Sequence, residues 1–310
     1  MLDVPVLLIV YRRPDLTSRA LDAIATARPR QLFVAADGAA SDGERSACAA
    51  VRAAATRVTW PCQVYTDFSS TNLGCSARVT SAIDWMFEHA DRGIVLEDDC
   101  VAAPDFFSFC ETLLERYRDD TRVMHISGEM YHQASRGDAS YYFSKYALTW
   151  GWATWKRAWE RCDRDLATWP AFRDSPEAAS LFDTEDERRY WTATFQQRHD
   201  GQITEWDYAW WYSCMTEGLS IHPTVNLVSN VGSGPAAHHT QSDMSCHRPI
   251  GALAAPLRHP AWVLRNRAAD METFDHRLVG AVLKRQRTWR HQALRPARWA
   301  RRALSGRFHR

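Results

Sequence analysis

The sequence predicts an α/β protein built on a mostly parallel sheet flanked by helices, and three observations carry that expectation. Short apolar runs alternate with helical patterns through the first half of the 310-residue chain, as in a parallel sheet covered by helices. One of those runs, Gly93-Ile94-Val95-Leu96, ends abruptly in three adjacent carboxylates, Glu97-Asp98-Asp99. After about Gly128 small aliphatic residues give way to Tyr and Trp, and nine of the 14 tryptophans fall between Trp150 and Trp211.

Val4 to Tyr11 reads as the first strand, and Pro14-Asp15 opens a helix whose Leu16, Ala20, Ile24 and Ala27 fall close to one face. Gln31 to Ala36 is the second strand, ended by Asp37-Gly38, and Asp42 to Thr56 is an Ala-rich helix. Val64 to Phe68 is the third strand. The loop Ser69 to Gly74 follows it, and then a helix through Ala82, Ile83, Met86 and Phe87. Gly93 to Leu96 is the fourth strand, Pro104 to Tyr117 a helix and Val123 to Ser127 a further strand. The remainder is less periodic, and its aromatic density suits a pocket that stacks on sugar rings or nucleobases, though tryptophan also serves cores. The expected organisation is a nucleotide-binding half over 1–128, an acceptor-binding and catalytic half over 129–245, and an extension over 246–310.

At 45% hydrophobic composition, the chain can bury one large core or two modest ones. No stretch approaches the ~20 apolar residues that cross a bilayer, and the opening Met-Leu-Asp-Val-Pro lacks the basic region of a cleaved secretion signal. Eight cysteines without a CxxC pair suit reduced thiols in a cytoplasm. The formal net charge of +1 conceals an asymmetry: ten of the 38 Lys and Arg residues lie in 281–310, which has no Asp or Glu. That leaves 28 basic against 37 acidic residues in the body, a net charge of −9. Trp289, Leu294, Trp299, Leu304 and Phe308 are interleaved with the tail's cations, as on a segment lying at an anionic membrane surface. A solvated terminus is the simpler alternative, and nucleic-acid binding a third.

A strand that buries Ile94, Val95 and Leu96 lifts the acidic trio to the carboxyl edge of the sheet, where ligands of open α/β sheets bind. A divalent cation relieves the repulsion of packed carboxylates, and hard oxygen ligands suit magnesium or manganese holding a substrate's phosphates. An acidic turn capping the next helix would need one carboxylate and not three.

Leu96-Glu97-Asp98-Asp99, the following Ala103-Pro104-Asp105-Phe106-Phe107 and the Trp-rich second half together resemble the GT-A glycosyltransferases, above all the N-acetylglucosaminyltransferase I type and its bacterial relatives. There an EDD sequence before a PDFF helix is the local form of the metal-binding DxD motif. Trp150-Gly151-Trp152 with Ala158-Trp159 resembles that family's acceptor-side loop, and Glu205-Trp206-Asp207-Tyr208 its segment carrying the catalytic base. The resemblance covers about Val4 to Thr240 and is weak in the C-terminal 70 residues.

The resemblance implies a Rossmann-like GT-A sheet, a nucleotide-sugar donor, a UDP-sugar by preference, and a manganese or magnesium ion. It assigns donor contacts to Arg13, Asp37, Asn72, Arg78, Glu97, Asp98 and Trp152. Arg13 would meet a phosphate and Asp37 the uracil ring. Metal ligation falls to Asp99 and, from the Gly-rich stretch Gly232 to Thr240, to His239. Asp207 is the base, in a setting of Trp206, Tyr208, Trp210 and Trp211 that would raise its pKa.

The expected reaction is inverting transfer of a sugar to a hydroxyl of a glycan or lipid-linked acceptor, by a cytoplasmic enzyme peripheral to the inner face of a membrane. Retaining transfer stays open. Sugar-phosphate nucleotidyl transfer is disfavoured, because Tyr11-Arg12-Arg13-Pro14 lacks the Gly-rich phosphate loop such enzymes carry after the first strand. A glycan-binding protein without turnover would need no carboxylate trio.

Overall fold

The structure is a computed structural model that describes residues 1–131, 138–232 and 248–278. The elements run β1 (Val6–Val10), α1 (Pro14–Ala27), β2 (Gln31–Ala36), α2 (Arg45–Ala55), β3 (Gln63–Phe68), α3 (Cys75–His89), β4 (Arg92–Glu97), β5 (Cys100–Ala102), α4 (Pro104–Arg116) and β6 (Val123–Ser127). They continue with β7 (Tyr141–Ser144), β8 (Trp152–Trp155), α5 (Lys156–Trp159), α6 (Trp169–Arg173), α7 (Pro176–Leu181), α8 (Glu185–His199), α9 (Trp206–Glu217), β9 (Leu219–Pro223), β10 (Val228–Asn230) and α10 (Arg267–Thr273). Every strand and helix expected in the first half is present. Proline at the first position of α1 and α4 gives up an amide that a helix start leaves unpaired anyway.

The main sheet has eight strands in the order β3-β2-β1-β4-β8-β6-β9-β7. The first four are parallel to one another, as the alternation of strand and helix requires. β8 enters antiparallel between β4 and β6, and β7 is antiparallel to β9. The sheet is therefore mostly parallel, with two reversed strands supplied by the second half. One sheet runs through the expected boundary at residue 128.

Alternation of side chains along the strands divides the interior into two cores. Val6, Leu8, Val10, Ile94 and Leu96 face α1, α2 and α4 on one side. Leu7, Ile9, Phe33 and Val95 face α3, α8 and α9 on the other. The second core is largely aromatic, and this corrects the expectation of a Trp-lined pocket. Of the nine tryptophans between 150 and 211, eight are buried and Trp150 is half-buried. Trp152 stacks on His125 at 5.1 Å and on Trp206 at 5.8 Å. Wide indole rings fill the space where helices pack over a twisted sheet.

The last described segment returns to the sheet edge, where Arg265 bridges to Phe143 of β7. A buried ion network fastens it. Asp270 accepts from Ser144 Oγ at 2.5 Å and from Arg265 Nε at 2.5 Å, and Asp183 accepts from Lys145 Nζ, Arg265 and Arg267. Among the described residues no helix is long and apolar enough to cross a membrane, and the seven described cysteines are free thiols. The basic tail of the membrane expectation lies outside the described residues.

Candidate functional site

The chain leaves β1 toward β2 and β3 on one side and returns to β4 on the other. That makes the crevice between the carboxyl ends of β1 and β4 the topological switch point, where open α/β sheets bind ligands. Arg13 stands at one wall of it as the residue capping α1, and Glu97-Asp98-Asp99 stands at the other. The Arg13 guanidinium closes the gap through one nitrogen, Nη2, which donates to Asp98 Oδ1 and to Asp99 Oδ2, the latter at 2.8 Å. Asp98 also accepts from the Tyr11 amide at 3.3 Å. Asp99 is held on its other oxygen by Asn230 Nδ2 at 3.2 Å, and its carbonyl accepts from the Val231 amide at 2.8 Å.

Crowding of carboxylates in a poorly hydrated crevice governs the protonation there. Burial, then the charges of Asp99, Asp98 and Asp207, push Glu97 up to about 8, although part of its surface reaches solvent. Burial raises Asp98 to about 6 against the pull of Arg13. Burial works against the charge of Arg13, but Asp98 and Asp99 outweigh it and the guanidinium stays charged. Arg13, expected to meet a phosphate, is engaged here by the two carboxylates.

Three residues expected on the nucleotide are committed elsewhere. Asp37 is buried, and its carboxylate accepts from the amides of Gly38 at 2.8 Å, Leu73 at 2.9 Å and Gly74 at 3.1 Å and from Asn72 Nδ2 at 3.2 Å. A carboxylate has about four lone-pair positions; the loop 69–74 takes three of them and the Gly38 amide the fourth. Asn72 also donates to the Gly38 carbonyl at 2.9 Å. Arg78 is buried on the carbonyl and carboxylate of Asp67 at 2.8 and 2.7 Å, where it secures the end of β3. Trp152, likewise expected to touch ligand, is 1% exposed and belongs to the core.

Asp207 occupies the first turn of α9. Burial raises its pKa and Glu205 adds to that, while Arg277 and the backbone amides at the helix start pull it down. Asp207 lies within electrostatic reach of Glu97 and of the Cys75 thiol, which is exposed at its surface yet raised by the protein packed around it and by these carboxylates. Two chain segments 110 residues apart in sequence thus bring an acidic base candidate to the edge of the acidic trio. Trp206 anchors that turn by stacking on Trp152.

The site contains residues that the sequence reading passed over. Glu129 follows β6 as Asp37 follows β2, a carboxylate beside a glycine at a strand's carboxyl end, and that pattern was the available signal. Gly128 is required there, since a Cβ would come within 2.4 Å of Val228 Cγ2 and 2.8 Å of Phe106. Asn230 and Arg277 carried no signal, because only the fold brings them near Asp99 and Glu129.

The chemistry of the switch point suits a divalent ion in one respect. Asp98 and Asp99 are adjacent hard oxygen donors, and one or two carboxylates plus substrate phosphates are the usual holders of magnesium. Asp99 Oδ2 is also crowded, for a Cβ on Gly232 would come within 2.2 Å of it. Among the described residues no three His, Cys, Asp or Glu side chains are gathered as a metal site by themselves. His239 lies outside the described residues.

No protein-family model matches the sequence, and neither does any curated protein. Among solved structures, the chain is similar to UDP-glucose pyrophosphorylase complexed with UDP-glucose, at TM-score 0.34 and 8% identity over 71% of this chain and 90% of that one. It is similar to the galactosyltransferase LgtC in complex with donor and acceptor sugar analogs, at TM-score 0.33 and 11% identity over 71% and 73% of the two chains. The 4-diphosphocytidyl-2C-methyl-D-erythritol synthase from Anaerococcus prevotii gives TM-score 0.33 and 7% identity over 64% and 84%. Similarities this loose assign neither family nor activity to the chain.

Proposed function

We propose that the protein is a metal-dependent, inverting glycosyltransferase that moves a sugar from a nucleotide diphosphate donor to a hydroxyl of a glycan or lipid-linked acceptor, the type its EDD and PDFF motifs resemble. The observation that carries this reading is the trio Glu97-Asp98-Asp99 spanned by Arg13 at the switch point, with Asp207 at the start of α9 near enough for its charge to act on Glu97.

In this reading the donor's diphosphate lies at the carboxyl ends of β1 and β4 and competes with Asp98 and Asp99 for Arg13, whose planar guanidinium suits phosphate oxygens. Asp99, with Asp98, holds the divalent ion. Bound there, it would supply charge neutralisation for the diphosphate leaving group. Glu97, at the carboxyl end of β4, binds a hydroxyl of the donor. Asp207 removes the proton from the acceptor hydroxyl as its oxygen bonds to the anomeric carbon, the sugar–phosphate bond breaks, and the nucleotide diphosphate departs with the bonding electrons. A carboxylate whose pKa is raised above the ordinary value is better matched to that task.

The test is thermal-shift titration and donor hydrolysis with and without manganese, on the wild type, Asp99→Ala and Asp207→Asn. Since Asp37 is committed to its loop, the panel spans uridine, guanosine, cytidine and thymidine diphosphate sugars. Manganese-dependent protection by one donor, lost in Asp99→Ala, and binding without turnover in Asp207→Asn are expected. Synthesis of a nucleotide-sugar from a nucleoside triphosphate and a sugar 1-phosphate would overturn the reading in favour of nucleotidyl transfer. Absence of any binding would return the trio to a structural turn.

A further inference from the structure

Trp262 is the exception to the burial of the tryptophans. Of the 12 described, it alone is exposed, at 75%, and Leu264 two residues on is 70% exposed. Apolar side chains scattered singly over a surface are ordinary, but these are gathered. Of the six large hydrophobic side chains exposed among the described residues, Ile250, Trp262, Leu264 and Met271 lie between positions 250 and 271. The backbone beneath them is pinned to the body. The Gly251 amide donates to the Asn226 carbonyl at 2.8 Å, the Leu253 amide to Asp105 Oδ2 at 3.0 Å, the Arg258 amide to Ser140 Oγ at 2.9 Å and the Asn266 amide to the Phe143 carbonyl at 2.7 Å. Leu253, Leu257 and Val263 pack against the first core. The inner side of the segment is thereby satisfied, and Trp262 and Leu264 are left on its outer side.

The same segment is basic. From Arg248 to Ala268 it has four arginines and a histidine and no Asp or Glu. Arg258 is exposed, and Arg267 is 72% exposed even while paired with Asp183 at 2.7 Å. Exposed Arg116, at the end of α4, adds a third outward cation. It lies 5.6 Å over the Tyr117 ring, and Tyr117 joins Tyr141 and His259 through hydroxyl contacts of 2.6 and 3.0 Å. Asp138, exposed two residues before Ser140, offsets one of these charges, and Arg265 is committed to Asp270 and Asp183.

We propose that this face docks on an anionic lipid bilayer, with Trp262 and Leu264 entering the boundary between headgroups and acyl chains while Arg258, Arg267 and Arg116 meet lipid phosphates. The indole ring is amphipathic and suits that depth, and a small apolar insertion joined to cations holds an anionic surface more firmly than either does alone. Charge favours a bilayer over a second copy of the chain, because a two-fold contact would set the same cations against one another. The docking face belongs to the described body and is distinct from the basic stretch 281–310. The inference goes beyond the glycosyltransferase reading and does not depend on it.

The test is flotation of the full chain with vesicles of phosphatidylglycerol and phosphatidylcholine in equal parts, beside vesicles of phosphatidylcholine alone. The wild type should float with the anionic vesicles and less so as salt is raised. Trp262→Ser combined with Leu264→Ser should weaken that binding by about ten-fold or more with Tm unchanged, since both side chains are exposed. Arg258→Glu combined with Arg116→Glu should weaken it as well and flatten the salt dependence. Brominated phosphatidylcholine in the anionic vesicles should quench more fluorescence in the wild type than in Trp262→Phe. No flotation of the wild type would overturn the proposal. Binding unchanged in both double variants would overturn it too and assign the affinity to the basic stretch 281–310. Self-association in sedimentation equilibrium, abolished by the Trp262 and Leu264 substitutions and without vesicle binding, would make the face a contact between copies instead.

Discussion

Replacing Asp37 by alanine is expected to loosen the protein more than it weakens nucleotide binding. The side chain accepts three backbone amides and the Asn72 amide, all between 2.8 and 3.2 Å, and hydrogen bonds to a charged acceptor contribute about 1.5–3 kcal/mol each. They do not add in full. Leu73 is 44% exposed and Asn72 is at the surface, so several freed donors would find water, and the net loss falls to about 2–4 kcal/mol. Gly38 is buried and would resist relaxation, since its amide donates to the Thr71 carbonyl at 3.2 Å and the Thr71 backbone lies within 2.4 Å of where a Cβ would stand. Urea unfolding followed by fluorescence of the buried tryptophans measures the loss directly, and a fall in Tm of roughly 5 °C should accompany it. Asp37→Asn should lose about half as much, since it keeps one acceptor oxygen but turns amide protons toward Gly74 and Asn72. Wild-type stability together with abolished nucleotide affinity would refute the clasp and restore Asp37 as a base contact.

Three further outcomes are expected. Glu97 is protonated in the folded protein up to about 8 but ionises near its ordinary value when unfolded, so its contribution to stability is full below that value and is lost as pH rises through about 8. Glu97→Gln should remove a slope of up to about 1.4 kcal/mol per pH unit across that window, and an unchanged slope in pH-dependent unfolding would refute the assignment. Lys145→Met should cost about 3–5 kcal/mol, because Glu187 Oε1 at 2.5 Å and Asp183 Oδ2 at 3.3 Å are left without it in a buried setting. Pairing it with Glu187→Gln should recover part of that loss in a double-mutant cycle. Trp210→Ala should destabilise by about 3–5 kcal/mol as a core truncation, whereas half-buried Trp150 should lose less; equal losses would contradict their different burial.

Much of the scaffold was legible because the forces that set it are local. Short continuous apolar runs mark Val6–Val10 and Ile94–Leu96 as strands buried on both faces, proline at positions 14 and 104 opens helices, and a carboxylate run after Leu96 has to emerge at the strand's end. These follow from side-chain periodicity and backbone sterics within a few residues. The family resemblance rests on the same local runs, the acidic trio after β4 and the segment that opens α9.

Partnership was not legible, because it depends on which distant residues share a crevice. The clasp of the Asn72–Gly74 loop on Asp37, and the ion pairs Arg13 makes once β4 lies beside β1, join residues that no local pattern relates. The Trp-rich half suits either sugar stacking or a core by sequence, and burial decides for the core at eight of the nine tryptophans, which lie on β8, α5, α6, α8 and α9. Sequence alone determined which residue types stand at the ends of the strands. Tertiary structure decided their charge states and partners, since desolvation and Coulomb interactions act through space between residues such as Glu129 and Arg277 that local pattern does not relate.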